Sequence, residues 1–191
     1  MKKTILLISV LILLSSFVNA QQKDVAYIVR VNQNQDFINV LSGLSLSFDI
    51  VKSDQLSSTN FANYKMILVG DEFFSNPLQI PVSDFNSLIV NTHYTNNWGL
   101  STNGVGTQVS SQPSEIKNVD VNKWITNGLS AIMQVYITAN INLHYINRVD
   151  RAALKSYIVS STNNDNPDTV VMVVLPGKKL FNNKIAQGRI T

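Results

Sequence analysis

The chain has 191 residues, 45% of them hydrophobic and 14% charged, with 15 Lys+Arg against 12 Asp+Glu and no cysteine. The missing thiol excludes disulfides, thiolate nucleophiles, cysteine zinc sites and iron–sulfur clusters together. The cations are scattered, Lys178-Lys179 being the only doublet beyond residue 20, so the basic stripe of a nucleic-acid binder is absent and no nucleic-acid partner is expected.

Residues 1–20 carry Lys2-Lys3, the apolar run Ile5 to Leu14 and the small-residue end Val18-Asn19-Ala20. This order of charged, apolar and cleavable regions predicts a signal peptide, a new terminus at Gln21, and a secreted or cell-envelope location. The apolar run falls short of the roughly 20 residues of a spanning helix, and no second such run follows, so no transmembrane anchor is expected after cleavage. Cleavage takes two of the 15 Lys+Arg and none of the 12 Asp+Glu, leaving residues 21–191 close to neutral. That length suits a single domain burying about two-thirds of its unfolded surface.

Val25-Ala26-Tyr27-Ile28-Val29 is a continuous apolar run, the pattern of a strand covered on both faces. Asp36 then precedes Phe37, Val40, Leu41 and Leu44, whose spacing predicts a helix presenting these four on one face and ending near Gly43. Leu46 to Val51 and Lys65 to Gly70 predict two further strands, and Ser87 to Val90 a fourth. Between them Pro77 and Pro81 argue against a long helix over 73–85. Strand, helix and buried strands in this order predict an α/β domain over 21–191 with a mostly parallel sheet.

In the second half, Val121 to Leu129 predicts one or two helical turns. Val135–Ile137, Leu143–Ile146, Tyr157–Val159 and Val170–Val174 predict antiparallel strands or hairpins, with Asn163 to Asp168 as a hairpin loop. These strands either extend the parallel sheet or form a small added layer.

The phrases Phe48-Asp49-Ile50-Val51, Leu56 to Asn63 leading into Tyr64 to Gly70, Ile80-Pro81-Val82, Trp98-Gly99-Leu100, Trp124 to Leu129 and Gly188-Arg189-Ile190 together resemble the class I glutamine amidotransferase-like, flavodoxin-like domains of secreted and envelope proteins. The resemblance spans most of residues 25–191 and implies a three-layer α/β sandwich. The catalytic members of that family carry a Cys at the sharp turn after the third strand, activated by a downstream His. Here the turn reads Gly70-Asp71-Glu72-Phe73, and no Cys exists anywhere, which excludes the amidotransferase reaction.

Ligands of open α/β sheets gather at the carboxyl ends of the strands, where this sequence places Asn32, Asn34, Asp71, Glu72, Asn91, His93 and Tyr94. Asp71, Glu72 and His93 are the candidate catalytic set, since a His with one or two carboxylates suits a divalent metal or acid–base chemistry. The plainer alternative makes Asp71 a cap, Glu72 a solvated acid and His93 an ordinary loop residue. His144 is expected at the surface by strand alternation, and Trp98 and Trp124 as core or loop anchors in preference to sugar platforms. The turn Asn32 to Gln35 lacks glycine, and neither G-x-S-x-G nor H-E-x-x-H occurs, so no cofactor is expected. Asn103 to Gly106 follows a polar loop and is expected to be a flexible turn.

Two functions follow. A non-catalytic secreted module with a structural or binding role, meeting protein or carbohydrate partners, is favoured over a hydrolase or metal-assisted enzyme that uses Asp71, Glu72 and His93. The run Arg189-Ile190-Thr191 opens an apolar pattern of only three residues, where the resembling domains begin a further strand. The domain is therefore expected to continue past Thr191.

Overall fold

The computed structural model describes residues 22–110, 115–118, 130, 132–134, 141–162 and 169–191. The signal-peptide assignment, the helical turns over 121–129, the strand at 135–137, Trp124 and the loop at 163–168 lie outside them. Four strands, β1 (Lys23–Val29), β2 (Phe48–Lys52), β3 (Tyr64–Val69) and β4 (Ser87–Ile89), form a parallel sheet in the order β2-β1-β3-β4. The helix α1 (Gln35–Gly43) connects β1 to β2, and three-residue or six-residue 3-10 turns occupy the later crossovers. The domain is α/β.

The central strands explain why their sequences are apolar without alternation. Val25, Tyr27 and Val29 of β1 and Leu68 of β3 pack on one face with Leu41, while Ala26, Ile28, Ile67 and Val69 pack on the other with Leu56, Phe61, Phe74, Ile80 and Trp98. Both faces are covered, as a parallel sheet requires, and each fully buried Val or Ile side chain contributes about 1.5–3 kcal/mol.

Helix α1 begins where expected but turns a different face inward. Asn34 is its N-cap, its side-chain oxygen accepting from the Asp36 amide at 2.8 Å. Its own amide donates to the Tyr27 hydroxyl at 3.1 Å, anchoring the helix start to the sheet. Leu41 is buried and Phe37 and Ile38 pack beside it, whereas Val40 and Leu44 are 56% and 65% exposed. The inward stripe is 37, 38 and 41, one position round from the face drawn through 37, 40, 41 and 44.

The remaining strands are β5 (Gly106–Ser110), β6 (Glu115–Asn118), β7 (Ile132–Gln134), β8 (Ile141–Tyr145), β9 (Tyr157–Thr162) and β10 (Thr169–Val173). They form an antiparallel sheet in the order β10-β9-β6-β7 and an antiparallel pair β5-β8. A second helix, α2 (Arg148–Leu154), precedes β9 and was not indicated by the sequence. Its N-cap Asn147 accepts from the Asp150 amide at 2.8 Å, and the buried Asp150 carboxylate accepts from the Thr102 amide at 2.7 Å and hydroxyl at 2.9 Å. Gly104, at φ +81°, makes the turn before β5, which begins within the stretch expected to be flexible.

Residues 189–191 connect the two sheets. Ile190 bridges Ser87 in parallel and Val174 in antiparallel sense. The Ser87 amide donates to Arg189, the Thr191 amide to Ser87, and Val174 and Ile190 exchange both of their backbone bonds at 2.8 and 3.0 Å. Gly188 makes this approach possible: a Cβ there would lie 2.2 Å from the Phe85 carbonyl carbon and 2.3 Å from the Asn86 nitrogen. Among the described residues no helix is long and apolar enough to cross a membrane.

Candidate functional site

The carboxyl ends of β1, β3 and β4 meet at a small cluster of loops. Gly70 closes β3 by donating its amide to the Ile28 carbonyl at 3.0 Å. A Cβ at Gly70 would sit 3.1 Å from that carbonyl and 3.4 Å from the Tyr27 ring, so the chain turns there with little spare room. Asn91, 3% exposed, then straps the turn from the β4 side. Its amide nitrogen donates to the Gly70 carbonyl at 2.9 Å and the Glu72 carbonyl at 2.7 Å, and its oxygen accepts from the His93 amide at 2.9 Å. Three backbone groups are thereby engaged by one side chain, the Gly70 carbonyl also accepting from the Glu72 amide at 3.1 Å.

The three candidate residues separate within this frame. The Glu72 carboxylate accepts from the Arg30 backbone amide at 2.7 Å, which ties the end of β1 to the turn after β3. It is partly exposed. The Asp71 carboxylate oxygen lies 3.7 Å from His93 Nε2, and both side chains retain solvent contact. At that separation the pair is an ion pair when His93 is protonated and is too long for a hydrogen bond. The His93 ring stacks on Phe73 with centroids 3.8 Å apart and planes at 27°, and Phe73 is 62% exposed. Phe73 thus joins the cluster as a residue that the search for titratable groups passes over.

Tyr94 and Trp98 belong to the support beneath. The Tyr94 hydroxyl donates to the Phe74 carbonyl at 2.8 Å, and its ring meets Trp98 edge-on at 5.7 Å. Trp98 is 3% exposed and donates its indole N–H to the Pro77 carbonyl at 2.9 Å, the arrangement of a core anchor. Asn34 caps α1, and Asn32 is exposed on the loop after β1.

A cavity of about 420 Å³ opens beside the cluster, lined by Asp71, Asn91, Ile89, Met172, His144 and Thr191 among others. His144, expected at the surface, is half-buried and lines this cavity. Among the described residues no group of three or more His, Asp and Glu is close enough to share a metal ion.

The perturbed acids lie at the opposite, amino end of the sheet. Asp24 accepts from Lys65 at 2.7 Å and from the Ser47 hydroxyl and amide at 2.7 and 2.8 Å, and these bonds hold its carboxyl well below the usual range. Asp49 is lowered by its bond to Lys23, and it accepts from the Tyr64 hydroxyl at 2.9 Å. Burial and the Asp49 charge push Tyr64 up to about 12. These ties hold β1, β2 and β3 together at their starts and face no cavity residue.

Neither protein-family models nor curated proteins match this chain. Its fold is similar to the crystal structure of a ThuA-like protein from Bacteroides uniformis, with a TM-score of 0.50 over 81% of this chain and 78% of that one. Identity over the match is 11%, so the likeness concerns fold alone. The chain shares a distant α/β fold with that ThuA-like protein.

Proposed function

We propose that this chain is a secreted or envelope-located, non-catalytic α/β module with a structural or binding role, built on the class I glutamine amidotransferase-like, flavodoxin-like plan. The strand order β2-β1-β3-β4 with α1 in the first crossover supports that plan, as does the likeness to a ThuA-like protein. The observation that carries the non-catalytic reading is the employment of Glu72. Its carboxylate receives the Arg30 amide and its carbonyl receives Asn91, so the turn after β3 is a fastening. That turn is where the catalytic relatives hold their nucleophile, and here the chain has no Cys. The exposed Phe73 face beside Asp71 and His93 is the surface a protein or carbohydrate partner would meet, through ring contact and one carboxylate.

The second reading, a hydrolase or metal-assisted enzyme, draws on the Asp71–His93 pair at the cavity rim. Chromogenic ester, phosphate and glycoside substrates, offered to the purified chain with and without Zn²⁺ or Mn²⁺, separate the two. The module reading expects no turnover above buffer. Turnover lost in both Asp71→Ala and His93→Ala would establish the enzyme. Export is tested by the mass of the protein recovered outside the cell, expected to begin at Gln21; a folded protein retaining Lys2-Lys3 would contradict it.

A further inference from the structure

The loops at the carboxyl end of the parallel sheet sort their side chains into those that hold backbone and those that do not. Asn91 is buried and engages three backbone groups, and the Glu72 carboxylate accepts from the Arg30 amide. Beside them stand one acid and two apolar side chains without such employment. The Asp71 carboxylate makes no hydrogen bond among the described residues, its ion-pair partner there being His93 Nε2 at 3.7 Å. Phe73 is 62% exposed and Val31 51%. They leave neighbouring strand ends, since Val31 follows Arg30 and Phe73 follows Glu72, the two residues joined by the 2.7 Å bond.

Phe73 is exposed and supported at once. Its ring lies on His93 with centroids 3.8 Å apart. The His93 amide is held by Asn91, and its ring meets Tyr94 edge-on at 6.2 Å. Tyr94 in turn donates to the Phe74 carbonyl and packs edge-on against the buried Trp98. A ring held in this way loses little freedom when a partner covers it, so its apolar area is available at low entropic cost. An aromatic anchor with a charge at its rim is the anatomy of a protein interface.

The chemistry selects among partners. A sugar needs several convergent polar groups to fix its orientation, and Asn91 and Glu72, the side chains of these loops suited to that task, are already occupied by backbone. A protein segment needs only an apolar side chain against Phe73 and a cation against Asp71. The spacing agrees: Asp71 lies 3.7 Å from His93 Nε2 and the Phe73 ring 3.8 Å from the His93 ring, while alternate side chains of an extended segment stand on one face about 7 Å apart. Arginine is the better cation, because its planar fork takes both oxygens of a carboxylate. Resting on the binding-module reading above, we propose that the surface of Asp71, His93 and Phe73 docks an extended segment of another protein that carries an apolar side chain and, two positions away, an arginine.

The test titrates the purified, isotope-labelled chain with the peptide acetyl-Ser-Leu-Thr-Arg-Ser-amide and with its counterpart bearing Glu in place of Arg. The backbone amide resonances of Asp71, Glu72, Phe73 and His93 are the readout. The arginine peptide is expected to shift them saturably with a Kd below about 1 mM, and the glutamate peptide to bind at least about fivefold more weakly. Asp71→Asn keeps the shape of an exposed side chain and is expected to erase that difference, whereas Phe73→Ala is expected to weaken both peptides alike, by about tenfold. Equal binding of the two peptides, a preference that survives Asp71→Asn, indifference to Phe73→Ala, or no saturable shift up to about 10 mM would each overturn the proposal. Saturable shifts of the same resonances by cellohexaose, with none from either peptide, would give the surface to carbohydrate and overturn the protein partner. Absent peptide binding without turnover sinks the partner and leaves the module reading standing; turnover lost in both Asp71→Ala and His93→Ala removes that reading itself.

Discussion

The two ends of the parallel sheet are held by different chemistry. At the amino end, charged side chains pair across strands: Asp24 with Lys65 and Ser47, and Asp49 with Lys23 and Tyr64. These groups stay in contact with water and their carboxyls are lowered by their partners. At the carboxyl end, backbone groups are gathered by single side chains, three by the buried Asn91 and one by Glu72. One end therefore pairs Asp24 and Asp49 with lysines, while the other uses Glu72 as an acceptor and leaves Asp71 beside His93 on an exposed rim. In an α/β sheet the second end is where ligands are met, and here half of its acidic capacity is spent on holding the loops.

The comparison can be broken from the outside in. The largest effect is expected from Gly188→Ala, next to the start of β4, where the added carbon meets the Phe85 and Asn86 backbone at 2.2 to 2.4 Å. No rotamer relieves a clash with backbone, and a loss of about 3 kcal/mol is expected in denaturant unfolding. Asn91→Ala acts at the other end. It takes the side-chain partner from the Glu72 carbonyl and the His93 amide and one of two donors from the Gly70 carbonyl, and a loss of about 2 kcal/mol is expected.

Acid separates the ends more gently. The Asp24 and Asp49 carboxyls are lowered in the folded chain, so the stability they contribute is present above about pH 4, their unfolded range, and is lost as pH falls through their folded values. Lys65→Met removes the largest cause of the Asp24 shift and is expected to flatten the acid limb of a stability–pH curve, as monitored by circular dichroism. Tyr64, raised to about 12, adds a matching loss only as pH climbs from about 10 upward.

Much of the first half was legible because its strands are buried on two faces. A continuous apolar run such as Val25 to Val29 has one physical explanation in a chain this short. The helix was legible as a period but not as a face, since both 37-38-41 and 37-40-41-44 satisfy helical spacing and only the sheet decides between them. Strands β8, β9 and β10 overlap the apolar runs that announced them, whereas α2 is short, charged and invisible to periodicity. At the site, the rule that ligands gather at strand ends singled out Asp71, Glu72, Asn91 and His93. It says nothing about direction. Which of two adjacent acids meets the Arg30 amide is fixed by the path of the turn, and that path depends on Asn91, 20 residues downstream of Asp71 in the chain.

The division of labour between the two acids is measured most directly by the unfolding midpoints of Glu72→Ala and Asp71→Ala in the same denaturant at pH 7. Glu72→Ala should lose about 1 kcal/mol, because it leaves the Arg30 amide without its acceptor. Asp71→Ala should stay within about 0.5 kcal/mol of the parent, as an exposed residue whose carboxylate lies 3.7 Å from the His93 ring nitrogen. A larger loss for Asp71→Ala, or no loss for Glu72→Ala, would contradict the account and return both acids to the candidate catalytic set.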